Sequence, residues 1–153
     1  MESLKQETRL PELLQAMYSL NKIAAIAAAC ECARWCATVY PGSERSLQSL
    51  AKTEAWTRGE QVSLGPFFPE RVISEGTTGE IASQYSSQAA FAAALAADES
   101  DATTAGHYIF SVGITALNTV SAIDPSLAAR VDAQAKMRRI ALAKFESLVE
   151  RAS

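Results

Sequence analysis

The chain has 153 residues, 48% of them hydrophobic and 20% charged, with a net charge of −3 and a pI near 5.2. This is the balance of one folded domain spanning 1–153; it excludes a disordered chain and the broad basic field that a nucleic-acid partner needs. At this length roughly two-thirds of the extended-chain surface is buried on folding, so the fold requires neither a disulfide nor a metal.

Alanine is abundant and is the best helix former, while no run alternates Val, Ile, Thr and aromatic residues as a strand would. The expected fold class is therefore all-α, an alanine-rich multi-helix bundle. The opening MESLKQETRLPELL mixes charges and holds no apolar segment, so it does not read as a secretory signal. The first helix is expected over Leu10–Leu20, with Pro11 tolerated in its first turn. The second runs from Lys22 to Val39, capped by Asn21 and stopped by Pro41-Gly42. It is apolar or small on every side from Ile23 to Ala37, which makes it the buried central helix. Its most apolar stretch, Ile23–Cys30, is far short of the ~20 residues that span a bilayer. The expectation is a soluble cytoplasmic protein without a membrane partner.

A third helix, Glu44 to Arg58, is capped by Ser43 and ended by Gly59, with Leu47, Leu50, Ala51 and Trp56 inward. Gln61–Gly76 contains Gly65-Pro66 and Pro69, so it reads as irregular, with one short turn over Glu70–Ser74 and with Phe67 and Phe68 pinning it to the core. Thr77 and Glu80 have capping-box spacing at the start of a helix reaching Ala97, whose face Tyr85, Ala89, Ala92 and Ala96 allows close approach. Asp98–Asp101 is a turn. The next helix, Ala102–Ala122, places Tyr108, Val112, Ala116 and Val120 on one face. Gly106 and Gly113 are expected to serve close packing, since each otherwise costs ~1 kcal/mol against alanine. Asp124 as N-cap and Pro125 as first residue open a long C-terminal helix to Arg151, with Leu127, Val131, Leu142, Phe145 and Val149 inward.

Candidate chemistry is sparse. Cys32 and Cys36 share a face of the central helix, and Cys30 points away from Cys32. A zinc site needs four ligands, and His107 is the only histidine to complete one, so no metal or other cofactor is implied. The cysteines read as small core hydrophobes. His107, early in an apolar helix, reads as a hydrogen-bonded structural residue, with proton transfer the alternative. Glu31 stands alone in the most apolar helix and faces Arg34 or Arg58, as a salt bridge or as a ligand-binding acid in the bundle centre. Gly76-Thr77-Thr78-Gly79 lacks the strand and lysine of a phosphate loop and reads as a helix start. Lys136, Arg138 and Arg139 form a basic cluster on one helix face, solvated or turned to phosphates or an acidic partner.

One ordered set of motifs carries a resemblance. Ala33-Arg34-Trp35, Tyr40-Pro41-Gly42, Leu50, Ala55-Trp56-Thr57-Arg58-Gly59-Glu60 and then Ala105-Gly106 resemble a family of alanine-rich bacterial immunity proteins, the Imm5-like group. The similarity covers Ile23 to Val120; the histidine that the family carries later in the chain is missing between Gly113 and Ala116. The resemblance implies a protein that binds and neutralises a cognate protein toxin without catalysis. Loops often carry recognition, and aromatic and Arg residues dominate binding hot spots. Trp56, Arg58, Glu60, Phe67 and Phe68 are therefore the expected partner-binding residues, with core packing the competing role of Trp56. Two alternatives stand beside this: a small-ligand, metal or redox sensor using Cys30, Cys32, Cys36 and His107, and a homo-oligomeric assembly subunit pairing through Pro125–Arg151.

Overall fold

The computed structural model describes residues 2–65, 67 and 76–152. Among them are seven helices and no strand: α1 Glu2–Gln6, α2 Leu10–Leu20, α3 Lys22–Val39, α4 Glu44–Thr57, α5 Thr78–Asp98, α6 Ala102–Ile123 and α7 Leu127–Ala152. The turn expected over Glu70–Ser74 and the docking of Phe68 lie outside the described residues. No helix among the described residues is long and apolar enough to cross a membrane.

The helix starts follow from local chemistry. Asn21 Oδ1 accepts from the Ala24 N–H at 3.0 Å, Ser43 Oγ from Ser46 at 3.1 Å, and Thr77 Oγ1 from Glu80 at 3.2 Å. Each bond satisfies one of the backbone donors that a helix start leaves unpaired. The Leu10 N–H is met differently: Gln134 Oε1 of α7 accepts it at 3.0 Å, because Arg9 provides no side-chain cap. The start of α7 corrects the sequence expectation. Ser126 is the cap, its Oγ accepting from Ala129, while Asp124 closes α6 and accepts the Ser126 N–H at 3.0 Å.

The centre of the bundle is α3, which touches α2, α4, α5, α6 and α7. Ala24 through Cys30 are all buried, as are Cys32, Ala33 and Cys36. Small side chains on all sides let five helices reach one axis. Larger residues from the neighbours fill the spaces between them, chiefly Leu10, Leu13, Leu14, Met17, Leu50, Ile109, Met137 and Phe145. α5 repeats the device, burying Ala89, Ala90, Ala92, Ala93, Ala94, Ala96 and Ala97 against its neighbours.

Two inner faces differ from those expected. α4 docks through Ser46, Leu50, Thr53 and Ala55, while Ala51 is exposed and Leu47 and Trp56 are half-buried. Thr53 Oγ1 donates to the Ser49 carbonyl one turn back at 2.9 Å, and Ser46 Oγ to the Ser43 carbonyl at 2.7 Å. With their hydroxyls bonded within the helix, both side chains pack as small groups. On α7 the buried line is Ala133, Met137, Ala141 and Phe145, and Leu127 and Val131 are 76% and 56% exposed. A four-residue line drifts by about 40° per step around a helix. The contact therefore runs obliquely, and at the start of α7 it has turned away from Leu127 and Val131.

The basic cluster of α7 is partly engaged in structure. Arg138 donates to the Glu7 carbonyl at 2.6 Å and to the Lys5 carbonyl, which holds α1 against α7, and Lys136 pairs with Asp132 at 3.0 Å. The two α6 glycines also part company. A Cβ on Gly113 would lie 2.7 Å from Pro11 Cα and 2.8 Å from Pro11 N, so glycine is required where α2 crosses α6. A Cβ on Gly106 would meet only Gln15 Nε2 at 3.7 Å, an ordinary contact, so helix packing does not require glycine there. Gly113→Ala is therefore expected to lower unfolding free energy by about 1–3 kcal/mol through overpacking. Gly106→Ala should hold it or raise it by up to ~1 kcal/mol through helix propensity. Urea titration of the two variants beside the parent protein checks both signs.

Candidate functional site

The end of α4 is a glycine-terminated stop. Gly59 has φ +85°, the left-handed region that favours glycine. The Gly59 N–H bonds the Trp56 carbonyl at 3.0 Å and the Glu60 N–H bonds the Ala55 carbonyl at 3.1 Å, which is the Schellman pattern. This reversal sets Arg58 and Glu60 side by side, with Arg58 Nε 2.8 Å from Glu60 Oε2. Both are exposed. Trp56 is half-buried and packs partly against the core, as does Leu64 beyond the stop. Phe67 is half-buried, and Phe68 lies outside the described residues. Among the expected partner-binding residues, the geometry thus joins Arg58 and Glu60 directly, on the turn that follows Trp56.

Arg58 also borders a notch of about 60 Å3 between α3, α4 and α7, lined with Cys30, Glu31, Glu54, Thr57 and Lys144. Charges alternate around it. Arg34 holds Glu54 through two bonds, Nη2–Oε1 at 2.5 Å and Nε–Oε2 at 3.3 Å. Donating to the Glu54 carboxylate stabilises the charged guanidinium and raises the Arg34 pKa above its ordinary value. Glu31 pairs with Lys144 at 3.7 Å rather than with Arg34 or Arg58, and it lies 41% exposed at the edge of α3 rather than in the bundle centre. Exposed pairs of this kind contribute only about 0–1 kcal/mol to stability. Their chemical capacity is a patterned rim of both signs, suited to directional recognition. Nothing local in the sequence pointed to Lys144, which lies on another helix far along the chain, and Arg34 and Glu54 are likewise joined only by the packing of α3 on α4.

The cysteines sit beneath this surface. Cys30, Cys32 and Cys36 are free thiols and all are buried. Cys32 Sγ donates to the Met137 carbonyl at 3.6 Å and Cys36 Sγ to the Ala116 carbonyl at 3.9 Å. Burial pushes all three thiols above the ordinary value of 9.0, and the Glu54 and Glu31 carboxylates push Cys30 further. A thiolate is the reactive form, so the arrangement favours packing over redox chemistry. His107 is exposed on α6, in a groove whose lining contains none of the cysteines. Among the described residues no three His, Cys, Asp or Glu side chains are grouped to hold a metal ion.

The raised thiols have a pH consequence. Below pH 9 both folded and unfolded chains keep these protons, so the thiols leave stability unchanged with pH. Above it the unfolded chain releases them while the folded chain retains them, and stability falls as pH rises, by about 1.4 kcal/mol per pH unit for each protected thiol. Urea unfolding between about pH 8 and pH 10 should show this decline, and a variant with all three cysteines changed to alanine should show a shallower one.

No family model, curated protein or solved structure matches the chain.

Proposed function

We propose that the chain is a non-enzymatic immunity protein, one that binds a cognate protein toxin in the bacterial cytoplasm and neutralises it through the end of α4. The observation that carries this reading is the Arg58–Glu60 pair, held on a left-handed glycine turn next to half-buried Trp56. A binding surface gains affinity when its charged groups are ordered before the partner arrives. An arginine beside a partly buried tryptophan is also the residue combination enriched in hot spots. The resemblance of Ala33–Glu60 to the immunity proteins supports the same reading, since these motifs make up the α3–α4 pair that frames the notch.

Co-expression with the product of the adjacent gene tests the proposal. The expected result is a growth defect from that product alone, rescue by this chain, and a stable complex on a sizing column. Arg58→Ala should leave folding within about 0.5 kcal/mol of the parent and weaken the complex roughly tenfold or more. Failure to rescue growth sinks the immunity reading. Rescue with unchanged affinity in Arg58→Ala places the interface elsewhere.

The exposed Ile123, Leu127 and Val131 favour a second reading, in which two copies pair through the start of α7. Contiguous exposed apolar surface marks association sites, and Leu127 and Val131 lie one turn apart on α7. Light scattering should then show a dimer that Leu127→Lys abolishes; a monomer at high concentration removes this reading.

A further inference from the structure

We infer that the groove between α2 and α6 is a binding site for a cationic hydrogen-bond donor, an alkylammonium or alkylguanidinium group. Two observations that helix packing does not explain meet there. The first is Glu12. Its Oε2 is buried, and together with Ser49 Oγ it is one of two such side-chain oxygens without a hydrogen-bond partner among the described residues. A desolvated carboxylate oxygen is unfavourable unless a donor reaches it, and a charged donor forms the strongest bond to it. The second is Gly106, whose backbone lines the same groove. Glycine weakens a helix interior, and here no neighbouring helix demands it, since an added Cβ would only touch Gln15 Nε2 at 3.7 Å. The absent side chain leaves open space beside Gln15, in the groove that Glu12 also lines.

The remaining lining suits the same ligand. The groove is an open one of about 740 Å3, wide enough to admit a small molecule or a side chain. Glu12 is the only carboxylate in its lining and His107 the only base. Ser19 Oγ donates its own hydrogen to the Gln15 carbonyl at 3.4 Å, so its oxygen is left as an acceptor. Tyr18 and His107 add aromatic rings to the lining, and a tyrosine ring attracts a guanidinium. Asp101, the N-cap of α6 next to the lining residue Ala102, brings a second carboxylate nearby, which accepts from Thr104 N and Oγ1. A carboxylate with an unused oxygen, neutral acceptors and aromatic rings select a cation over an anion or an apolar ligand.

The same cationic group can belong to a free amine or to a lysine or arginine side chain of another protein, and two probes separate these sources. Amide NMR shifts of the 15N-labelled chain are followed during titration with agmatine, which carries both groups, and with N-acetyl-Ala-Arg-Ala-amide. Saturable shifts confined to α2 and the first half of α6 are expected. Agmatine saturating first assigns the groove to a small amine; the peptide saturating first assigns it to a protein side chain; both support a cation site. Glu12→Gln, which keeps the side chain's shape and removes its charge, should weaken binding roughly tenfold or more. Gly106→Ala should weaken it while melting at or above the parent temperature, which separates a blocked groove from a damaged fold. Shifts with neither probe, shifts scattered over the acidic surface, or affinity unchanged in Glu12→Gln would overturn the inference.

Discussion

Everything in this molecule is arranged around the burial of α3 on all sides. Five helices contact it, and they can do so because the segment from Ala24 to Ala33 presents little beyond methyl and thiol groups apart from Ile26 and Glu31. Each such side chain buries little area, so the core gains its cohesion from many short-range contacts rather than from a few large anchors. The large residues come from the surrounding helices and fill the gaps between them. A bulky residue on α3 would displace several neighbours at once, whereas the same change on an outer helix would displace one or two.

That arrangement also decides where polar chemistry can appear. The faces of α3 that carry Ala25, Ile26, Ala29 and Cys36 are fully enclosed, and in the middle of the helix the charged side chains emerge at a seam. Glu31 and Arg34 emerge between α4 and α7, and there they find Lys144 and Glu54. The thiols of the same helix face inward and are held protonated by burial. A single helix thus presents an ion-pairing edge and a chemically quiet interior, and the divide follows from which side a neighbouring helix covers. The α2–α6 groove is a second seam of this kind. Gly113 lets the two helices meet tightly at Pro11, while Gly106, seven residues earlier in α6, borders open space beside Gln15.

Local chemistry made much of the secondary structure legible. Asn21, Ser43 and Thr77 cap the helices they precede, each through a side-chain oxygen and a nearby N–H, and Asp101, read only as part of a turn, does the same for α6. Gly59 ends α4 by adopting a conformation that suits glycine. The sequence reading of α7 failed in two places for different reasons. Asp124 and Ser126 both have capping side chains, and their competition for the helix start was settled by Asp124 turning to bond Ser126. Leu127 and Val131 fit an apolar stripe drawn along the helix axis, but the contact with the bundle crosses that axis obliquely. The short α1 was not anticipated; Leu4 beneath it and Arg138 gripping its carbonyls come from tertiary packing.

The sequence by itself determined that the chain is helical, where six of its seven described helices lie, and that α3 is the central one. These properties depend on propensity, capping and uniform side-chain size, which are set within a few residues of each other. Tertiary structure alone decided which charges meet, which glycine serves packing, and which carboxylate is left with an unused oxygen. Glu31 and Lys144, Leu10 and Gln134, and Gly113 and Pro11 are far apart along the chain, and the angle at which one helix crosses another selects them as neighbours. Alanine-rich surfaces allow close approach at many angles without specifying one, so that selection falls to the packing of the whole bundle.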